Sequence, residues 1–365
     1  MTVEPLPRAL CLSGGGYRAM LFHLGALWRL NEAKLLPTFD LISSVSGGSI
    51  TAGVLATRWP ELDFDETGYA RRLDLVADDL HRFAGRTVDV WVVLRGLLGP
   101  GSIADRVAAV YARDLFGTRT LQDLPDEPRF VFCASNVQTG ALWRFSKRYM
   151  ADYQVGMVPD PTVPLAVAVA ASSAFPPFLS PLTLKLDPAS FQTRGRGPLF
   201  VAPYDERAIL SDGGVYDNLG LEPAWKRSTT IMVSDGGGHL APDPRPSRLW
   251  PLHLLRVLKL MDSQVRALRK RDLIAAYRAA ADPHHGTYWG VRTDIADYGL
   301  AETLPCPLDR TTVLAETPTR LAKLDVRRQR RLVNWGYAVS DAALRRYVFP
   351  VPGAPGTFPY PQEGV

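Results

Sequence analysis

Apolar residues along the chain fall into short continuous runs that alternate with segments of helical period. Arg8–Leu12 (RALCL), Phe39–Val45 (FDLISSV), Arg129–Ser135 (RFVFCAS), Ala208–Ser211 (AILS) and Thr229–Ser234 (TTIMVS) read as short buried strands. Ala141–Phe145 reads as another. Between the first two runs, Tyr17–Leu36 places Leu21, Leu24, Leu27 and Trp28 at helical spacing, and Ile50–Ala56 opens a second helix. Two strand–helix units within the first 60 residues predict a parallel α/β sheet with helices on its faces.

Residues 60 to 128 break this alternation. Leu73–His81, Val88–Leu98 and Ile103–Leu115 are its helical candidates, so the region reads as a helical cap inserted into the sheet. Val163–Ala174 is rich in Ala and Val and predicts a helix able to pack closely, ended by Pro176-Pro177. Leu182–Val201 has little periodicity and reads as a loop or small hairpin. Helical patterns follow near 248–282 and 318–347, with a strand-like TYWGVRT between them. Pro350–Val365 is rich in Pro and Gly and is expected to wrap the surface or to be loose. No repeat is visible. The expectation is one domain over 1–365, with core motifs in 8–223, the insertion at about 60–128 and a helical extension at about 240–365.

Composition narrows the class. The 365 residues are 46% hydrophobic and 22% charged, which are globular values, and the formal net charge is +5. That charge suits anionic surfaces without calling for nucleic acid, and no zinc spacing or nucleic-acid motif accompanies it. Cys11, Cys133 and Cys306 are odd in number and far apart, which argues against a disulfide framework and fits a reducing compartment. No basic start followed by an apolar region marks a signal peptide, and no apolar run is long enough to span a bilayer. The expected location is cytoplasmic, with peripheral membrane contact through Val88–Leu98 and through the basic helical pattern Leu249–Ala281. The plainer reading of both stretches is core packing with a solvated basic face.

Chemistry concentrates at the carboxyl ends of the predicted strands. Ser13-Gly14-Gly15-Gly16 links a strand to a helix, so its amides and the helix dipole suit a phosphate or an oxyanion. It is neither a Walker A sequence nor G-x-G-x-x-G, because position 19 is Ala19. An oxyanion hole is therefore the better functional reading, and a structural turn the plainer one. Ser44-Val45-Ser46-Gly47-Gly48 is a strand–turn–helix passage with a serine at its tip, the way a hydrolase presents a nucleophile. Ligands of such sheets bind beyond the carboxyl ends of the strands, which brings loop and serine together. Two sets of partners fit Ser46: Asp212 alone, as a carboxylate base with a raised pKa, or a triad of Ser46, Asp212 or Asp235, and His239. His239 otherwise reads as a loop histidine and His23 as a packed one.

Together, Ser13-Gly14-Gly15-Gly16-Tyr17-Arg18-Ala19, Ser44-Val45-Ser46-Gly47-Gly48, Ala171-Ser172-Ser173-Ala174-Phe175-Pro176-Pro177-Phe178 and Asp212-Gly213-Gly214-Val215-Tyr216-Asp217-Asn218 resemble the patatin-like phospholipases. The opening block is also similar to the cytosolic phospholipase A2 catalytic domain. The four blocks keep the family's order over residues 11–223. The resemblance implies a three-layer α/β/α fold with a mainly parallel sheet, and a Ser–Asp dyad without histidine. Ser46 matches the nucleophile, Asp212 the general base, and Gly14, Gly15 and Gly16 the oxyanion loop. Arg18, Gly47, Gly48, Gly213, Gly214 and Asn218 support them. The implied reaction is hydrolysis of acyl esters of phospholipids, lysophospholipids or glycerides through an acyl-enzyme, with no metal or cofactor.

The implied partner is a lipid ester; the oligomeric state is not implied. The alternatives are a short-chain carboxylesterase and a non-catalytic lipid- or anion-binding protein. Ser44 departs from the family's Gly-x-Ser-x-Gly and is the position at which strain is expected.

Overall fold

The computed structural model describes residues 7–88, 102–349 and 353–365. All but Val88 of the expected helix at 88–98, and the start of the chain, lie outside the described residues. Ten strands form one sheet: β1 (Arg8–Leu12), β2 (Leu41–Ser44), β3 (Arg129–Asn136), β4 (Ala141–Phe145), β5 (Tyr149–Asp152), β6 (Gly156–Pro159), β7 (Leu182–Lys185), β8 (Arg207–Asp212), β9 (Thr230–Asp235) and β10 (His285–Gly290). The main path runs β10-β9-β1-β2-β3-β4-β5-β6. It is parallel from β10 to β3 and antiparallel from β3 to β6. The segment read as a loop or small hairpin supplies β7, which pairs antiparallel with β8.

The long helices are α1 (Gly16–Glu32), α2 (Gly47–Arg58), α3 (Asp74–Ala84), α4 (Ile103–Tyr111) and α5 (Leu165–Ser172). Two single turns follow, α6 (Gly214–Asp217) and α7 (Glu222–Trp225), then α8 (Trp250–Arg278), α9 (Leu308–Ala315) and α10 (Val326–Tyr347). The central strands are buried on both faces, as their unbroken apolar runs require. Leu10 and Leu12 of β1, with Phe130, Phe132 and Ala134 of β3, join the core shared with α1 to α5 and α10. Their alternates, Ala9, Cys11, Val131 and Cys133, join a second core with Leu219, Ala224 and Leu273. The result is an α/β sheet with helices on its two faces. All three cysteines are buried and unpaired.

The tail of the chain is integral to this arrangement. Helix α10 packs along α1 and buries Leu332, Trp335, Val339 and Leu344. Arg29 of α1 meets the buried Asp341 of α10 at 2.7 Å.

One feature of the sheet sets the position of the site. Along β3, β4 fills one edge from Phe132 to Asn136. The other edge is shared: β2 runs parallel as far as Phe132, opposite Ser44, and β8 runs antiparallel down to Ala134, opposite Asp212. The carboxyl ends of β2 and β8 therefore point at each other across two steps of β3, with Cys133 between, about 7 Å at the usual rise of a strand.

Candidate active site

Three segments leave the sheet at one level. Leu12, Ser44, Phe132 and Ser234 lie in one row of the ladder. The glycine loop follows Leu12, the serine turn follows Ser44, and the Asp235 loop follows Ser234. Short backbone bonds join them: Ser13 N–H donates to Ser234 O at 3.1 Å, and Gly48 N–H to Ser13 O at 3.1 Å.

Ser46 sits at the tip of the turn with φ 53° and ψ −120°, a conformation that a non-glycine residue rarely adopts. Such strain costs on the order of 1–3 kcal/mol and persists only where the surroundings enforce it. Here the enforcing bond comes from Ser172 on α5: its hydroxyl accepts the Ser46 N–H at 3.0 Å and donates to Cys133 O at 2.6 Å. The strain falls on Ser46 and not on Ser44, where it was expected. Ser44 is an ordinary strand residue whose hydroxyl donates to Val131 O at 3.3 Å and accepts from Ser49 at 3.0 Å. Ser43, Ser44 and Ser49 are 0% exposed, whereas Ser46 is 8% exposed and stands at the positive end of α2.

The glycines are explained by close approach. A Cβ on Gly47 would stand 2.3 Å from Gly16 O, and one on Gly14 would stand 2.3 Å from Asn218 Oδ1 and 3.1 Å from Ser46 Cβ. The glycine loop thus lies directly against the Ser46 turn. The Gly14 N–H is taken by Asn218 O at 3.0 Å. Among the described residues the N–H groups of Gly15 and Gly16 have no acceptor.

Asp212 ends β8, 3% exposed. Its backbone is held by Ala174 O, which accepts its N–H at 2.9 Å, and by Ser135, which donates to its carbonyl at 2.8 Å. Oδ1 accepts the Gly214 N–H at 2.7 Å. Oδ2 is buried and no bond of full geometry closes on it. Burial pushes the carboxyl up to about 7; the Gly214 amide and the Ser46 hydroxyl pull it down, and Asp262 of α8 adds to the rise. A carboxylate that titrates near neutrality beside a strained serine is chemically suited to accept a proton.

The other candidates separate from this pair. Asp235 is fully engaged: Oδ1 accepts the Gly237 N–H at 2.8 Å and Oδ2 the Tyr288 hydroxyl at 2.7 Å. Burial raises its pKa, but Arg266, Tyr288 and the Gly237 amide outweigh that and leave it lowered. His239 is exposed and stands near Arg292 and Arg266, which with partial desolvation lower its pKa. No hydrogen bond joins it to Ser46, Asp212 or Asp235 among the described residues. His23 is packed: its ring bridges Ser234 Oγ at 2.7 Å and Ser13 O at 2.9 Å, and burial holds it neutral with a pKa of about 4.

Arg18 is a clamp: Nε donates to Gly236 O at 2.9 Å, Nη1 to Thr317 O and Nη2 to Thr319 Oγ1 at 2.9 Å. Burial and Arg266 lower its pKa to about 10. The Asn218 amide oxygen lies between Gly14 and Gly214, so this residue ties the Asp212 loop to the glycine loop. Gly213 and Gly48 are packed against the carbonyls of Cys133 and Leu12. Ser172 and Ser135 were missed as supports. Ser172 lay inside a recognised block, but only the fold shows that its hydroxyl reaches Ser46.

Known proteins share this fold. A family model described as "Patatin-like phospholipase" matches residues 10–225. Among solved structures, human GIVD cytosolic phospholipase A2 aligns at TM-score 0.55 and 15% identity, covering 91% of this chain and 58% of that one. The same human protein, in complex with a methyl γ-linolenyl fluorophosphonate inhibitor and terbium chloride, aligns at TM-score 0.56 and 16% identity, over 92% of this chain and 57% of that one. The chain therefore spans a little over half the length of these structures. Among the curated proteins, none matches the sequence.

Proposed function

The chain belongs to the patatin-like phospholipase family, and on that premise we propose that it is a serine acyl hydrolase of lipid esters working through a Ser46–Asp212 dyad. The observation that carries the reading is the buried Asp212 carboxyl with one open oxygen, poised near neutral pH beside Ser46. Asp212 accepts the Ser46 proton as Oγ attacks the ester carbonyl. The tetrahedral oxyanion is held by the Gly15 and Gly16 amides, while Gly14 supplies the clearance that lets them approach. The protonated Asp212 then gives its proton to the departing alkoxide, leaving Ser46 acylated. A water activated by Asp212 attacks the acyl carbonyl, and Ser46 leaves with the proton.

The strained turn keeps Oγ in one orientation through both steps, so little reorganisation is needed at the moment of attack. Lipid esters are the proposed substrates, reached at a membrane surface. The human structural neighbour was solved with a fluorophosphonate carrying a fatty chain, and the same reagent class tests the reading here. A fluorophosphonate is expected to label Ser46 in the parent protein and in no folded Ser46→Ala variant. Labelling at another serine, or none in the parent, rejects the dyad.

A further inference from the structure

Helix α8 is amphipathic in the wrong sense for a soluble protein. Trp250, Leu254, Val257, Leu258, Met261, Val265 and Leu268 recur at helical spacing and fall within an arc of about 100° on the helix circumference. All seven are 37–75% exposed. Away from the stripe, Arg256, Ser263 and Arg266, with Arg269 at its margin, are half-buried against the protein, and Leu252 is exposed on that side. Arg266 donates to Gly238 O, and Arg269 lies 5.7 Å over the Tyr216 ring. Only Leu273 and Ala276, near the end of the helix, are buried. The charged side thus seals the loops around the site while the apolar side faces outward. A contiguous apolar face of this kind marks an interaction surface.

More apolar groups flank the reacting pair. Phe175 and Phe178 follow the Ser172–Ala174 segment that supports Ser46 and Asp212, and Val215 follows Gly214; all three are exposed. Between Pro244 and Met261 the chain has Arg245, Arg248, Arg256 and Lys259 and no acidic residue. From Arg245 to Arg271 there are eight Lys or Arg and one Asp. Arg256, Arg266 and Arg269 face the protein, but Arg245, Arg248, Lys259 and Arg271 are exposed, and that exposed positive charge opposes pairing with a second copy. It complements an anionic bilayer, whose headgroups take the cations and whose acyl boundary takes the stripe. Among the described residues no helix is long and apolar enough to cross a membrane, so the geometry is one of lying on the surface.

We propose that α8 docks the protein on an anionic lipid bilayer, with the Trp250–Leu268 stripe buried at the headgroup–acyl boundary and the Ser46 site held over the lipid. That this docking delivers substrate rests on the acyl-hydrolase reading; the docking itself does not. The test uses full-length Ser46→Ala protein, so that vesicles stay intact, floated with an equal mixture of phosphatidylcholine and phosphatidylglycerol. The expected result is co-flotation that weakens with salt and with pure phosphatidylcholine. Adding Leu254→Ser, Leu258→Ser and Met261→Ser together should lower partitioning about tenfold or more, with circular dichroism unchanged because all three are exposed. The exposed pair Val313→Ser and Val326→Ser serves as the control and should leave partitioning unchanged.

Flotation of the triple variant equal to its parent overturns the proposal. So does a parent that never floats, or a solution dimer that the triple variant makes monomeric. Fluorophosphonate labelling of the wild-type chain separates the two readings. Labelled protein that does not float defeats docking alone, and floating protein that is not labelled defeats the dyad alone.

Discussion

Two aspartates end strands of the same sheet and are followed by glycines: Asp212-Gly213-Gly214 after β8 and Asp235-Gly236-Gly237-Gly238 after β9. Both are buried, and each accepts an amide two residues on, at 2.7 Å and 2.8 Å. They differ in the second oxygen. Asp235 has Tyr288 on it and Arg266 nearby, so its charge is compensated and its pKa falls. Asp212 has an uncompensated oxygen facing Ser46, so burial dominates and its pKa climbs to about 7. Identical local sequence gives a carboxyl held low in one place and one pushed toward neutrality in the other. The deciding groups come from elements far away in the chain.

The sharpest break between the two is the isosteric amide. Asp212→Asn is expected to lower kcat/KM on a soluble ester by about 10³-fold or more while the protein stays folded, because the amide cannot accept the serine proton. A folded variant with near-normal turnover removes the base from the mechanism. Asp235→Asn should act mainly on stability, by about 1–3 kcal/mol in denaturant titration, since the Gly237 amide and the Tyr288 hydroxyl lose their charged acceptor. Its turnover should fall far less than that of Asp212→Asn.

Titration separates them again, with opposite signs. On the proposed dyad the base is ionised Asp212, so kcat/KM should rise about tenfold per pH unit up to about 7 and then level. The same raised pKa means that the folded state holds a proton which the unfolded chain releases near the ordinary aspartate value of 3.8. The contribution of Asp212 to stability is therefore full at low pH and lost as pH rises toward 7. Asp212→Asn should raise Tm at pH 8 relative to the parent. For Asp235 the folded pKa is depressed, so its contribution is present above the unfolded pKa and lost as pH falls through the folded one. The smallest effect is expected at His239: His239→Ala should change kcat/KM by less than about twofold, since partial exposure and two neighbouring arginines isolate it. A large loss there restores the triad.

Much of this site was legible in the sequence, and the limits have physical reasons. Ser46 was legible because a strand–turn–helix passage demands small neighbours at fixed offsets, and Gly47 and Gly48 supply them. The parallel strands β1, β2 and β9 were legible as unbroken apolar runs. The choice between Asp212 and Asp235 was left open by the residues themselves and was made by resemblance, because Tyr288 and Arg266 lie far along the chain from both. The antiparallel course of β8 was not legible either, since periodicity reports burial and not direction. Strands β5 and β6 were not anticipated in the stretch before Val163. Helix α8 shows the same limit in another form: period was readable between 248 and 282, but the phase of that period relative to the core was not.

The meeting of β2 and β8 on β3 has a consequence for how this site tolerates change. The Ser46 turn and Asp212 are separated by a count of residues on a third strand, between Phe132 and Ala134, rather than by loops that can stretch. One residue gained or lost there would shift Asp212 by about 3.3 Å and turn its side chain to the other face of the sheet. Strand β3 therefore works as a ruler that forbids insertions and deletions at its middle. Length variation that retunes the enzyme has to enter through segments hung outside the ruler, with α8 foremost among them.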